Sequence, residues 1–228
     1  MKTGLPCIRI LFFLLILSLA AFGCKKKLDD DGGYYDEKTK RYKYVRPGKG
    51  GLKRLSLKVI PPQPGVVQKI SGSISRIGRD AKSIWLQLGD RKPYMILADS
   101  LASNNRNDKD RSLRISLEFV SPLGSVARGK KFKNQWKQYT IKVLEEQLLN
   151  QNVFVDIRFD ERSRKFWGTV HKIVVTKEGE KLRNINLWMV HNGLSYYFVD
   201  KGKSPVEREF IKAQAAANNA KAGIWRYQ

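Results

Sequence analysis

Residues that hold transition metals or form disulfides are scarce in this chain of 228 residues, which has two cysteines and two histidines. Cys7 lies in an N-terminal segment that we predict to be removed, so no disulfide partner is expected for Cys24. His171 and His191 have no cysteine or second histidine at ligand spacing, which argues against a transition-metal site. The sequence also lacks a Ser-centred nucleophile elbow and a phosphate-binding glycine loop. The folded part must therefore be stabilised by a hydrophobic core.

Acidic residues are also scarce. The chain has 44 Lys and Arg against 21 Asp and Glu, a formal net charge of +23, and loss of Lys2 and Arg9 with the N-terminal segment leaves +21. A surface this positive attracts polyanions such as nucleic acid, anionic lipid or acidic polysaccharide. Charge alone does not choose among these partners.

Long apolar runs are absent as well. The longest, Ile10 to Phe22, is shorter than the roughly 20 residues that a membrane-spanning helix needs. Because Lys2 and Arg9 precede it, the run is typical of the apolar region of a secretory signal. We therefore predict a signal peptide over residues 1–23. This segment has three possible roles: the signal peptide of a lipoprotein, an ordinary signal peptide, or an anchor that is not cleaved.

Cys24 is the predicted site of lipid attachment. The segment Ala21-Phe22-Gly23-Cys24 resembles a bacterial lipoprotein box, in which a small residue precedes the acylated cysteine. This resemblance implies a protein anchored in the cell envelope through a lipid on Cys24. Lys25 provides no aspartate-type retention signal, which favours the outer membrane, with the chain on its periplasmic or surface face.

Residues 24–65 have the composition of a tether. They mix charges of both signs with tyrosines and end in the proline-rich segment 61–65, PPQPG. Few apolar residues are present to offset the entropy of ordering, so we predict a flexible basic linker. The folded domain is then expected over residues 66–228.

Much of this domain, from Val66 onward, has the two-residue period of strands. The pattern and its turn signals predict strands over 67–77, 83–88, 94–98, 113–120, 153–159 and 165–176. Apolar residues at three- and four-residue steps from Trp136 to Leu148 predict a helix that begins near Lys133. This order predicts an α+β protein, mainly a five-stranded OB-type barrel with C-terminal helices. In the terminal helix, Ser204 to Glu207 form a predicted capping box and Gly223 a predicted left-handed C-cap.

The C-terminal region carries the motifs of a known family. Residues 186–194, NLWMVHNGL, resemble the "N-x-x-L-V-x-x-G-L-A" helix and turn of staphylococcal-nuclease-like (thermonuclease) domains. The Lys-Ala-Gly-Ile-Trp ending at residues 221–225 resembles the family's "A-x-x-A-x-x-x-G-x-W" helix. The resemblance extends over about residues 66–225 and implies the same barrel. These are packing motifs, so they imply a fold and not an activity.

Active members of this family cleave phosphodiesters with one Ca²⁺ held by two aspartates, a glutamate that acts on the water, and two arginines. The resemblance places Asp80 at the first aspartate. Spacing from Asp80 then aligns residues 94–102 with the family's third strand and makes Asp99 the second aspartate. Both Asp80 and Asp99 are thus candidate calcium ligands.

The distance to the following helix favours residues 113–123 for that strand instead. This alignment, which we prefer, keeps Arg114 as the first arginine and leaves Glu118 as a shifted carboxylate. The family's glutamate is missing in both alignments. Gly168 stands where the second arginine is expected. The resemblance therefore implies a degenerate catalytic site, with no cofactor assigned and Ca²⁺ required only if the chain is active.

Three functional interpretations remain. The first is a binding module for nucleic acid or another polyanion, in which Lys165, Phe166 and Trp167 contact phosphates and stack on bases; packing in the barrel is the alternative role for these aromatic residues. The second is an active calcium-dependent nuclease that uses relocated carboxylates such as Asp80, Asp99 and Glu118. The third is a structural protein of the envelope.

Overall fold

The computed structural model describes residues 33–36, 41–44, 59–124, 129–177, 179–199 and 202–227. The chain divides into two compact units, Met1–Lys53 and Arg54–Gln228. In the first unit, β1 (Gly33–Asp36) and β2 (Arg41–Tyr44) pair as an antiparallel ribbon. The predicted signal peptide, Cys24 and most of the predicted tether lie outside the described residues.

The second unit contains a mixed sheet, two short paired strands and four helices in its described part. In chain order they are β3 (Val67–Ile77), β4 (Ser83–Gln87), α1 (Arg91–Ala98), β5 (Arg106–Asn107), β6 (Ser112–Leu117), β7 (Val120–Ser121), α2 (Lys130–Leu148), β8 (Asn152–Asp160), β9 (Lys165–Thr176), β10 (Gly179–Asn184), α3 (Ile185–His191), β11 (Tyr196–Tyr197) and α4 (Glu207–Asn219). None of the helices in this described part is long and apolar enough to span a bilayer.

Five of the strands close into a barrel. β3 pairs with β4 on one side and with β8 on the other, β4 pairs with β6, and β8 pairs with β9. A parallel pairing of β6 with β9, Ile115 opposite Phe166, completes the ring. Three strands, a helix and two more strands arranged in this way form an OB-type barrel. The predicted α+β class and barrel are confirmed.

The barrel forms because each strand buries alternate side chains. Ile70, Ile74 and Ile77 of β3 are buried, as are Val155 and Ile157 of β8. In β8 the buried residues alternate with half-buried ones, which include Asp156 and Arg158, so one face enters the core and the other remains available for function. The terminal helix α4 adds Phe210, Ala213 and Ala217 to the same core.

One predicted strand is a helix. Residues 94–98 belong to α1, whose buried residues Tyr94, Leu97 and Ala98 lie on one helical face. A short apolar run is compatible with either structure, and here tertiary packing selected the helix. The hydroxyl of Tyr94 donates to Asp108 at 2.5 Å, and burial raises the pKa of this phenol strongly. This result removes the first alignment, since 94–102 is not a strand and β6 takes that place in the barrel.

The strand predicted over 113–120 is interrupted. β6 ends at Leu117, Phe119 has a left-handed φ of 61°, and the chain resumes as β7, which pairs with β11. The side chain of Asn186, fully buried at the start of α3, fastens this break. Its amide nitrogen donates to the carbonyls of Glu118 and Gly168, and its oxygen accepts from the backbone of Val170. The family-like motif therefore has a packing role.

The ends of α4 differ in detail from the prediction. The hydroxyl of Ser204 accepts from the backbone of Val206, while the backbone N–H of Ser204 donates to the hydroxyl of Tyr197. At the other end, Lys221 has the left-handed φ of 49° and the backbone of Ala222 donates to Ala217. This is a Schellman ending centred on Lys221. The prediction that Gly223 supplies the C-cap was wrong.

Candidate functional site

Four neighbouring strands place polar and aromatic residues in one row across the barrel surface. Ser83 of β4 is opposite Ser116 of β6, which is opposite Trp167 of β9, which in turn is opposite Arg158 of β8. The turn between β3 and β4 and the break after β6 flank this row. We call this region the barrel site; it contains Asp80, Lys82, Arg114, Glu118, Arg158, Lys165 and Trp167.

Asp80 is held by a compact set of donors at one end of the barrel site. One carboxylate oxygen accepts from the backbone of Lys82 at 3.0 Å and from the hydroxyl of Ser83 at 2.8 Å. The other accepts from Nη2 of Arg114 at 2.7 Å, and Nε of Arg114 donates to Ser83. The turn needs Gly78, because a Cβ there would lie 2.0 Å from the Ser83 hydroxyl oxygen.

The pKa of Asp80 reflects this arrangement. Burial by itself raises the pKa of this carboxyl. The hydrogen bonds from Lys82 and Ser83, together with the positive charge of Arg114, outweigh burial and bring the pKa below its ordinary value. Asp80 is therefore ionised at neutral pH and neutralised by Arg114.

Glu118 forms the second carboxylate–arginine pair of the barrel site. Its side chain is 8% exposed, and its Oε1 accepts from both Nε (3.0 Å) and Nη2 (2.6 Å) of Arg158. The Arg158 side chain is 36% exposed, so the cation reaches solvent while the carboxylate does not. The predicted catalytic carboxylate is thus the buried partner of a surface arginine.

Trp167 lies between cations. The Nζ atom of Lys165 is 4.1 Å from the centre of its ring and that of Lys82 is 5.2 Å away. Lys82 also lies 5.3 Å from the ring of Phe198, which is 41% exposed. The indole N–H donates to Asp160 at 3.4 Å. These contacts hold two ammonium groups over aromatic faces at the barrel surface.

The predicted stacking surface is mostly buried. Phe166 is 1% exposed and packs edge-on against Phe159 inside the barrel, so it is unable to stack on a base. Trp167 is 7% exposed. Of the three residues predicted to bind nucleic acid, Lys165 remains a surface cation, while the aromatic pair mainly packs, as the alternative interpretation had it.

The position aligned with the family's second arginine is tightly packed. A Cβ on Gly168 would lie 3.0 Å from the carbonyl oxygen of Asp156 and 3.0 Å from side-chain atoms of Ile115 and Val155. The carbonyl of Gly168 also accepts hydrogen bonds from the backbone of Glu118 and the side chain of Asn186. A side chain at this position would require its neighbours to move by a few tenths of an ångström, so the packing favours glycine.

Asp99 lies in a separate environment. It is an exposed residue just after α1, and its backbone carbonyl, like that of Ser100, accepts from the guanidinium of Arg164. Arg164 thus ties the turn between β8 and β9 to the end of α1. The backbone of Asp99 helps to hold this turn in place. The role of its side chain as a calcium ligand remains a prediction.

The described residues do not match the donor set that Ca²⁺ needs. That ion takes six to eight oxygen ligands, whereas no group of three His, Cys, Asp or Glu side chains gathers anywhere in the described ranges. One carboxylate oxygen of Asp80 and the Oε1 of Glu118 already accept from guanidinium groups, and the other oxygen of Asp80 accepts from the backbone of Lys82 and the hydroxyl of Ser83. The donor set therefore does not fit the ion, and no reaction step is assigned through calcium.

Sequence reasoning missed Arg158, Lys82 and Phe198. Alternation in β8 gave a signal for Arg158, because a half-buried arginine next to the buried Ile157 must lie on the outer face. Lys82 directly follows the Asp80 turn. Phe198 approaches only through the pairing of β11 with β7, which the local sequence does not encode.

The ring of five strands, the helix between its third and fourth strands and the C-terminal helices define an α+β protein with the nuclease-like OB fold. Residues 122–227 match the family described as "Staphylococcal nuclease homologue". The match begins after β7, so Asp80, Arg114 and Glu118 lie outside the matched residues. It supports a nuclease-like or nucleic-acid-binding domain.

No curated protein matches the chain. Among solved structures, the chain is similar to the extended Tudor domain of Drosophila melanogaster Tudor-SN (p100), at 19% identity and a TM-score of 0.38. The similarity covers 55% of this chain and 53% of that one, so the chain spans about half the length of that structure.

Proposed function

We propose that this protein is a lipid-anchored nucleic-acid-binding protein whose nuclease-like domain binds without cleaving. The observation that carries the proposal is that the candidate calcium ligand Asp80 and the candidate catalytic carboxylate Glu118 are each neutralised by an arginine. Asp80 is bound by Arg114 and Glu118 by Arg158. A carboxylate in an ion pair with a guanidinium is a poor base, because its proton affinity is lowered.

The cations of the barrel site support phosphate binding. The ammonium groups of Lys82 and Lys165 lie over the ring of Trp167. Arg158 is opposite Trp167 on the neighbouring strand β8. Lysine and arginine side chains neutralise phosphate charge and release counterions, which gives a sequence-independent affinity. The net charge of +23 adds a long-range attraction for the same polyanion. Phe198, exposed beside Lys82, adds a surface on which one base can stack.

Membrane anchoring is the second part of the proposal. It is supported by the lipoprotein-like segment that ends at Cys24 and by the charged, proline-rich residues 24–65 that follow. A lipid on Cys24 would hold the domain at the envelope while the linker separates it from the bilayer. Metabolic labelling with a palmitate analogue, compared between the natural chain and Cys24→Ala, tests this part: label that persists in the variant would contradict it.

The experiment for binding uses the full chain in detergent and a fluorescent 20-nucleotide single strand. We expect anisotropy to report tight binding at low salt, with affinity that falls steeply as salt rises. The same oligonucleotide should stay intact in calcium and in chelator. Absence of binding at low salt would remove the proposal. Cleavage that chelator stops and Asp80→Asn abolishes would instead establish the active nuclease.

A further inference from the structure

The part of α2 that precedes Glu145 carries only positive charge. Between Glu118 and Glu145 the sequence has no acidic residue, and within this stretch α2 carries Lys130, Lys131, Lys133, Lys137 and Lys142. None of these five lysines forms an ion pair with any residue in the ranges that the structure describes. Like charges along one helix repel, so this pattern does not stabilise the helix.

The outward face of α2 is polar as well as basic. Its exposed residues up to the fourth turn are Lys130, Lys131, Asn134, Gln135, Gln138, Tyr139 and Lys142. This face has amides and ammonium groups and no aliphatic side chain. A helix that enters a lipid surface needs an apolar face in contact with the bilayer. The composition therefore favours a polar polyanion over a membrane.

An aromatic cluster supports one exposed ring on this face. Trp136 is buried, and Tyr139 lies 5.2 Å from it while remaining 51% exposed. Phe132 stacks on Trp136 at 6.4 Å, and Tyr227 of the C-terminal segment packs edge-on against Phe132 at 5.1 Å. The ring of Tyr139 is thus held in place with part of its surface in solvent, which suits stacking on a base.

We propose that the outward face of α2 is a second nucleic-acid contact surface, in which the lysines bind phosphates and Tyr139 stacks on a base. The inference rests on the proposed function but concerns a surface distinct from the barrel site. From Lys130 to Lys142 the helix rises about 18 Å, which is long enough for its lysines to contact several successive phosphates of one strand. The surface therefore binds a single-stranded segment beyond the one held at the barrel site.

The test compares two triple variants that remove the same charge. Lys130, Lys131 and Lys142→Gln alters α2, and Arg208, Lys212 and Lys221→Gln alters exposed residues of α4 and of the turn that follows it. On a 20-nucleotide single strand, the α2 variant should lower the slope of log affinity against log salt by about 2, since each phosphate contact contributes about 0.7. At low salt it should also bind at least tenfold more weakly than the α4 variant, which senses only the change in overall charge.

Tyr139 provides an independent measurement. Tyr139→Leu should weaken binding about tenfold with an unchanged salt slope, and Tyr139→Phe should bind like the natural chain, because stacking needs the ring and not the hydroxyl. Equal loss in the α2 and α4 variants, or in Tyr139→Phe and Tyr139→Leu, would overturn the inference. So would an α2 variant that loses only its binding to anionic vesicles.

Failure of this inference is distinguishable from failure of the proposed function. A natural chain that binds no oligonucleotide contradicts the proposed function. A natural chain that binds, is weakened by Lys82→Gln with Lys165→Gln and is unaffected by the α2 variant contradicts only the second surface. Circular dichroism of each variant confirms that the fold is retained before binding is measured.

Discussion

The barrel site and the outward face of α2 are both basic, but their charges are organised in opposite ways. In the barrel site, Arg114 and Arg158 are fixed by carboxylates and Lys82 and Lys165 lie over an indole ring. On α2, five lysines have no acidic partner in the described ranges. The charges of the barrel site are therefore held by partners that also stabilise the fold, whereas the lysines of α2 contribute little to stability.

The largest effect on stability is expected at the residue that fastens the barrel site. Asn186→Ala leaves the carbonyl of Glu118 and the N–H of Val170 without this buried partner, and it removes one of the two hydrogen bonds to the carbonyl of Gly168. At about 1–3 kcal/mol for each unsatisfied group, less what relaxation recovers, we expect a loss of roughly 4 kcal/mol in the free energy of unfolding. Urea denaturation measures this, and Asn192→Ala, at an exposed hydrogen bond, is the matched control.

Breaking the buried ion pair should have the next largest effect. Arg158→Met leaves the buried carboxylate of Glu118 without its guanidinium partner. A fully buried pair broken in this way costs about 3–5 kcal/mol. Because Arg158 is partly exposed, we expect about 2 kcal/mol by chemical denaturation. Arg162→Met, in the exposed turn between β8 and β9, should change stability by less than about 0.5 kcal/mol; an equal loss in both variants would contradict the structural role of the pair.

Acid should weaken the other pair. The pKa of Asp80 in the folded state is lower than its ordinary value of 3.8, so its ionised form stabilises the fold above that pH. The contribution is lost as the pH falls below 3.8 toward the folded pKa. Asp80→Asn should therefore be less stable than the natural chain at pH 6, and the difference should shrink at pH 3. A difference that stays constant between these two pH values would argue against the ion pair.

The smallest effect on stability is expected on α2. Replacing Lys130, Lys131 and Lys142 with glutamine removes repulsion between like charges, worth about 0.2–0.5 kcal/mol for a pair on a helix. Thermal unfolding should therefore be unchanged or slightly raised, while nucleic-acid affinity falls. Loss of stability in this variant would show that the lysines support the fold after all, and would remove the contrast between the two surfaces.

Part of the candidate site was predictable from the sequence. The alternation in β3 and β9 and the C-terminal motifs indicated the barrel. The ion pair between Asp80 and Arg114 was not predicted. Prediction failed at residues 94–98, where a five-residue apolar run is equally suited to a strand or a helix. It failed also at Phe166, because alternation identifies two faces of a strand but not which of them enters the core.

The amino-acid sequence alone determined the α+β class, the excess of positive charge and the acid-free stretch of α2, because each follows from residue types and their periodicity. The tertiary structure decided which charges neutralise each other. Glu118 and Arg158 are 40 residues apart, and they meet only because β6, β8 and β9 close the same barrel. An electrostatic contact acts over a few ångströms in space, and local sequence carries no record of that distance.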